Sequence, residues 1–571
     1  TNLLSLSEAR EVEVAVTLGY VPDLDNLEWT FGTKPFEDWK SFKSGSYTGN
    51  PFIYFVVDPY VDGDTIRATI KWDLPYGTTN LQGRPYPRTA YPALLGEYNL
   101  AVTDITTDVS VKTAMRLNAY DSYRTYDEIK PEVERIINLA KSDRYIEYEA
   151  LGYSAEGREI PFVMFARSKA DIDKYLKDTL PMMLENSDIF IDNIENGFND
   201  YKPAIWFNNV HSDEANGSDA QLDILRKLAT EDTITFQRAV NNQDKSELET
   251  VTLNVQEVLD NFIILFNINN NPDGMVYNTR ATVAGFDPNR DPSYQTQIEM
   301  VHVMEGVGKW TPMILNDFHG YVPAFLIEPC TPPHDPNFEY DLLMDGMINH
   351  AHAMGKAGIA NTKYNNYIIP MFDYEDGWDD GGPMYVPVAA MLHGTMGHTI
   401  EIPELNQEST NAFMYAGFGS LKHALENKER LFLNQLNIYK RGIEGLDDRA
   451  VDEWFINAEG KAIGRPRGDK ENFFPEYFII PVDKTLQKNQ LAAYEMVQYL
   501  IRNSLKVEKT TTPVTVDGIN YPIGTFVVPM RQAKRGLVNS LLYDGSDFSD
   551  WGAMYAEVTM NFPHLRGFDK Y

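Results

Sequence analysis

The chain of 571 residues is expected to be an α/β protein: a mixed, mostly parallel central sheet with helices on both faces, plus a β-rich N-terminal segment and a small α/β C-terminal module. Three observations predict this. The apolar runs Ala204-Ile205-Trp206-Phe207, Phe262-Ile263-Ile264-Leu265-Phe266 and Met313-Ile314-Leu315 read as buried strands. Helical spacing follows the first of them, with Leu222, Leu225 and Leu228 at three-residue intervals and Ile224 beside them. Finally, the runs end in polar, turn-forming residues, Asn208-Asn209, Asn270-Asn271-Pro272-Asp273-Gly274 and Asp317-Phe318-His319-Gly320, so strand-end residues should converge on one edge.

In chain order, Val12, Val14, Val16 and Leu18 alternate with polar residues, as do Ile66, Ala68, Ile70 and Trp72, and Phe52 to Val57 is an apolar run. Residues 1–117 therefore read as a β-rich accessory domain. Its acidic turn Asp62-Gly63-Asp64 lacks the dense oxygen spacing of a calcium loop and reads as solvated. Ile129, Val133, Ile136 and Ala140 mark an amphipathic helix from about Thr125. Tyr145 to Leu151 and Ile160 to Phe165 flank a turn and read as a hairpin, and the polar stretch from Asn186 to Tyr201 reads as a surface insertion. Helices are expected over Tyr340 to Ala357 and Ser409 to Lys440, with the acidic, glycine-containing loop Asp373 to Gly382 between them. Residues 446–571 begin a new pattern: a strand at Tyr477 to Ile480, a helix carrying Leu491, Tyr494 and Val497, and a hairpin around Asp517-Gly518.

Fifty basic against eighty-three acidic residues leave a net charge of −33, which repels phosphate backbones and anionic headgroups, so nucleic acid and membrane surfaces are poor partners. No apolar run reaches the ~18 residues that a membrane span needs. The single cysteine, Cys330, excludes an intrachain disulfide and reads as a buried structural residue. A chain opening on Thr1, acidic and rich in Tyr and Asn, gives the expectation of an exported bacterial protein, extracellular or at the cell surface.

The chemistry concentrates at His211-Ser212-Asp213-Glu214, in a loop between a strand and a helix. A catalytic zinc takes about three nitrogen or carboxylate ligands and leaves a place for water. A histidine with a carboxylate three positions on supplies two of them, and His319 would supply the third. Taken alone, His211 also reads as a hydrogen-bonded strand-end histidine, and Glu214 as an acid favoured by the start of a helix.

In order, His211-x-x-Glu214, Asn271-Pro272-Asp273-Gly274, Arg280, Asn289-Arg290, His319 after Asp317-Phe318, and Thr399-Ile400-Glu401 resemble the zinc carboxypeptidase family typified by carboxypeptidase A. The resemblance covers residues 118–445, and the C-terminal module is similar to one appended to some bacterial members. It implies one zinc ion per chain, bound by His211, Glu214 and His319. Glu401 would be the carboxylate that takes a proton from the zinc-activated water and delivers it to the departing amine. Arg280 would stabilise the developing oxyanion. Asn289 and Arg290 would hold the terminal carboxylate of a peptide substrate, a task that suits the planar guanidinium fork. A tyrosine would close over the substrate, Tyr385 in preference to Tyr374. Glu404 is a rival base, set aside because the spacing from Thr399 favours Glu401; His393 and His398 read as structural. The loop from Asn271 to Asn289 is shorter than in the digestive enzymes and has Pro288 before Asn289, so the side-chain preference of the pocket is open.

Three functions follow: a secreted metallocarboxypeptidase that removes the C-terminal residue of peptides, a zinc amidohydrolase or peptidase acting on cell-wall peptides or N-acyl amino acids, and a non-catalytic surface-binding protein built on the same scaffold.

Overall fold

Alternate side chains of a strand share one face, so the alternating residues near the start of the chain can bury together. In the computed structural model, which describes residues 2–371, 380–552 and 561–571, Arg10–Val16 pairs antiparallel with Thr65–Trp72, and Ile53–Asp62 flanks that strand on its other side. Ile66, Ala68, Ile70 and Trp72 are buried beneath the ladder. A second sheet runs in the spatial order Leu3–Ser5, Val109–Asn118, Gly96–Asp104, Leu27–Phe31, Lys34–Pro35. Aromatic rings fill the core: the Phe31 ring meets Trp39 and Trp72 edge-on, at centroid distances of 5.2 and 5.7 Å. These elements form one compact unit, Thr1–Thr125 with Pro403–Asn411.

The second unit comprises Tyr126–Ile402 and Ala412–Tyr571. Its sheet has seven strands in the spatial order Tyr145–Tyr153, Glu159–Ala166, Ile263–Asn267, Ala204–Asn208, Ile314–Gly320, Met396–Ile402, Leu326–Glu328. The middle four run parallel, while the flanking strands are antiparallel to their neighbours. The strands at 204–208, 263–267 and 314–320 are buried along their whole length, which is why the sequence shows unbroken apolar runs there instead of alternation. Helices flank this mixed sheet, among them Tyr126–Leu139, Asn216–Thr230, Ile298–Trp310, Tyr340–Ala360 and the 38-residue Gln407–Glu444. Among the described residues no helix is long and apolar enough to cross a membrane.

Several elements depart from the sequence reading. The stretch read as a surface insertion holds a helix, Ser187–Glu195, because Phe190, Ile191 and Ile194 fall on one face and bury. The strand at Met313 continues through Gly320, so His319 lies inside its end and not beyond it. A hairpin that the reading omitted, Thr233–Ala239 with Leu248–Asn254, buries Ile234, Phe236, Val251 and Leu253.

Residues 446–571 form the expected strand, helix and hairpin as part of the second unit. Buried ions tie them to it. Arg465 donates to the Phe338 carbonyl at 2.6 Å, and Glu339 accepts from Arg535 at 3.0 Å.

Candidate metal centre

Three parallel strands bring the metal-binding candidates together. Beyond the buried strand Ala204–Asn208 the chain turns through His211 to Glu214 into the helix Asn216–Thr230. Asn209 pins this turn to the neighbouring strand, because its amide donates to the carbonyls of Glu214 at 3.3 Å and Phe318 at 3.0 Å. A side chain at Gly217 would stand 2.4 Å from the Asn209 amide nitrogen, so the close packing requires glycine there. His319 lies one residue inside the end of the adjacent strand, and in register beside it stands Glu401.

His211, Glu214 and His319 are 0, 2 and 2 % exposed, and ligand atoms of all three lie within 4.8 Å of one another. Glu214 Oε2 is 3.1 Å from His211 Nδ1 and 3.4 Å from His319 Nδ1. The opposite ring nitrogens face carboxylates, His211 Nε2 to Asp287 Oδ1 and His319 Nε2 to Asp317 Oδ2, each at 2.9 Å. A carboxylate can only accept, so each Nε2 carries a proton, and the Nδ1 lone pairs are what the rings would offer to a metal ion beside Glu214. Two lone pairs and an anion facing one another in a buried space call for a positive charge between them, and this donor set suits a zinc-type ion. A proton on the imidazole is the other way to supply that charge. Burial opposes charge on His319, yet Asp317 and Glu214 outweigh it and hold the imidazole well above its ordinary range. Burial likewise opposes charge on Glu214, but His211, His319 and Arg280 hold its carboxyl well below the ordinary range.

The other candidates lie around this group. Arg280 donates to Glu214 Oε1 and to Asp287 Oδ2, both at 2.9 Å. Its loop is held by Asn271, which caps the helix Pro272–Tyr277 and donates to the carbonyls of Arg280 and Ala281 at 3.3 and 3.1 Å. The Asn289 amide oxygen accepts from the Val386 backbone at 2.9 Å, and the Arg290 guanidinium lies 4.9 Å from the centroid of the Tyr385 ring. The structure thus joins Asn289, Arg290 and Tyr385. It links them to the ligand group through Asp287, which accepts from the Asn289 backbone at 2.8 Å and lies 3.9 Å from Arg290 Nη1.

Glu401 is buried, and its Oε2 has no hydrogen-bond partner among the described residues. Burial, with Glu214 nearby, pushes its carboxyl up to about 7 against the opposing pull of His319, Arg280 and His211. Glu404 belongs to the other compact unit, where it accepts from Asn406 at 2.9 Å. His398 bonds the Met347 carbonyl at 3.0 Å, and His393 is buried; neither belongs to the ligand group. Tyr374 and the acidic loop through Asp379 lie outside the described residues. Cys330 is buried, as the sequence reading expects.

The sequence reading assigned no role to Asp287, Asp317, Asn209 or Asn271. A signal for Asp317 exists: it sits two residues before His319 on one strand, which puts both side chains on the same face.

Comparison with known proteins finds carboxypeptidases similar to this chain. The chain is 24% identical over 184 residues to "Carboxypeptidase 2" of Trichophyton equinum, and equally to that of Trichophyton tonsurans. Each match covers 32% of this chain and 26% of the relative, so the chain spans about a quarter of the length of those relatives. Among solved structures, the metallo-carboxypeptidase from Burkholderia cenocepacia aligns at 14% identity over 65% of this chain and 77% of its own, with a TM-score of 0.35. The metallo-carboxypeptidase from Pseudomonas aeruginosa, in complex with (2-guanidinoethylmercapto)succinic acid, aligns at 14% identity over 74% of this chain and 90% of its own, with a TM-score of 0.36. Residues 134–324 match the family model for zinc carboxypeptidase, a stretch that takes in the ligand group with Arg280, Asn289 and Arg290, while Glu401 and Tyr385 lie beyond it.

Proposed function

We propose that this chain is a zinc-dependent metallocarboxypeptidase that hydrolyses the C-terminal peptide bond of peptides. The observation that carries the reading is the buried meeting of His211, Glu214 and His319 with Glu401 beside them in the neighbouring strand. His211 and His319 would hold zinc through Nδ1, with Glu214 as the third ligand. Bound there, zinc would act as a Lewis acid on the scissile carbonyl and make water acidic enough to attack near neutral pH.

The remaining work falls to the chain's own side chains. Glu401, buried and without a partner for Oε2, takes the proton of the attacking water and returns it to the departing amine. Arg280 commits two donors to Glu214 and Asp287, which fix its guanidinium, and its remaining donors serve the oxygen on which negative charge develops. Arg290, stacked on Tyr385, presents a planar fork to the substrate's terminal carboxylate, and Asn289 stands beside it. Asp287 ties the halves together: it orients His211 and Arg280 and sits at the base of the Asn289-Arg290 turn.

The test is Glu401→Gln in zinc-loaded protein, assayed on blocked dipeptides that carry a free C-terminal carboxylate. Loss of general acid and base should lower kcat about 10²–10⁴-fold while zinc content stays at one per chain. Undiminished hydrolysis, or hydrolysis that survives complete chelation, would reject the reading.

A further inference from the structure

A cavity of about 460 Å³ opens where the helices Tyr340–Ala360 and Gln407–Glu444 meet the hairpin Thr233–Ala239 with Leu248–Asn254. None of the residues lining it belongs to the metal centre. The first helix turns Asn349, His352 and Lys356 toward it, and the second turns His423, Asn427 and Arg430. Their spacings of three and four residues put each set on one helical face, where packed helices normally carry apolar side chains. Arg238 and Asn242 close the wall from the hairpin side, and Glu249 is the one acid of the lining. In a chain with 83 acidic and 50 basic residues this is a local reversal of charge.

The cavity also marks an interruption in the fold. The long helix departs from helical geometry at Asn427, with φ −129° and ψ 15°, and the Asn427 amide turns back to the His423 carbonyl at 3.0 Å. Behind the wall the rings of His423, His350 and His398 follow one another, with the His350 ring centroid 5.3 Å from that of His423 and 4.9 Å from that of His398. His423 Nε2 and His350 Nδ1 are buried and find no hydrogen-bond partner among the described residues.

The surrounding carboxylates are only partly matched to the cations. Arg238 pairs with Glu249 at 2.8 Å and lies 3.5 Å from Glu426, and Arg430 pairs with Asp345 at 3.0 Å. Asp345, Glu249 and Glu426 are themselves solvent-facing, which weakens those pairs. Lys356 forms no ion pair among the described residues. Burial and then Arg238 make Lys356 harder to protonate, burial and then Lys356 do so for His352, and burial followed by Arg430 and His398 for His423. The basic groups of this wall crowd one another, as they do where a ligand is meant to neutralise them.

We propose that this cavity binds a small multivalent oxyanion, a phosphoryl compound or a polycarboxylate, seated on Lys356 and Arg430 and bounded by the histidine and asparagine donors. Its volume lies within the range of about 300–1,000 Å³ usual for small-molecule sites and exceeds what a lone phosphate would fill. Guanidinium forks and an ammonium are the donors that recognise such groups, through charge-assisted hydrogen bonds.

The experiment is isothermal titration of the full chain, at low ionic strength, with glycerol 2-phosphate and separately with tricarballylate, against sodium chloride at matched ionic strength. Saturable one-site binding of at least one of the two is expected, and which one binds assigns the phosphoryl or carboxylate class. Lys356→Met should weaken it by about 10-fold or more, the loss that follows from removing one charge-assisted contact, and Arg430→Gln should weaken it as well. Both positions are at least partly exposed, and unchanged thermal melting without ligand verifies folding of the variants. No saturable binding at millimolar concentration overturns the proposal. So does wild-type affinity in both variants, which would place the anion elsewhere.

Discussion

Asp317 shows how a residue outside the ligand set can govern it. It meets His319 Nε2 at 2.9 Å, and its other oxygen accepts from the Asn208 amide at 2.8 Å, which in turn accepts from Asn267 at 3.1 Å. The imidazole is held by a buried polar chain three residues deep, which fixes both the tautomer and the direction of Nδ1. Replacing Asp317 by Asn keeps the shape and removes the acceptor charge. Zinc affinity, measured by competition with a chromophoric chelator, should fall about 10- to 100-fold. An unchanged affinity would mean that the strand backbone alone orients the ring. His211, Glu214, His319 and Glu401 were legible in the sequence because histidine is scarce in this chain and the ordered motifs point to one chemistry. Asp287 was not, because acids are common throughout it and only the turn at Pro288 brings it onto an imidazole, while the one signal for Asp317 was its place two residues before His319.

At the scale of elements, the fully buried parallel strands announced themselves as apolar runs, and the long helices through their periodicity. What escaped notice lay between those patterns. The helix Ile298–Trp310 buries Met300, Val303, Met304 and Val307 at helical spacing, but Gly306 and Gly308 inside it weaken the helical signal. The connection from Leu326–Glu328 into the helix Tyr340–Ala360 is a second case, because it carries a buried acid that no periodicity reveals. Burial pushes the Asp335 carboxyl up to about 7, against hydrogen bonds from Asn337 at 2.8 Å (backbone) and 2.7 Å (side chain) and with Asp380 adding repulsion. The folded chain therefore holds a proton that the unfolded chain has already released. Stability from this group is fully present below the unfolded pKa of 3.8 and is lost as pH rises through about 7. Asp335→Asn mimics the protonated form at every pH. It should raise the thermal midpoint at about pH 8, by an effect of roughly 2–4 kcal/mol, and change it far less at about pH 4. Equal shifts at the two pH values would show that the carboxyl is ionised in the fold.

For the whole molecule, the net charge of −33 sets a field that the candidate metal centre shares. Around the ligand group itself, Asp213, Glu214, Asp287, Asp317 and Glu401 stand against Arg280 and Arg290. Arg290, in the role proposed for it, supplies a local positive contact for the terminal carboxylate, whereas the surrounding surface attracts cationic peptides over longer distances and repels anionic ones. The two effects are separable because they act over different ranges. Long-range attraction is screened beyond a Debye length of about 10 Å at 0.1 M salt, while a partly buried contact is screened much less. Two peptides with the same C-terminal residue, one with upstream lysines and one with upstream glutamates, should therefore differ in kcat/KM at low salt, in favour of the lysine peptide. The difference should shrink severalfold when sodium chloride is raised to about 0.5 M, with kcat nearly unchanged for both, because steering acts on encounter and not on the bound complex. A preference that persisted at high salt would belong to direct contacts in the cleft, and the charge of the whole chain would then have no part in choosing the substrate.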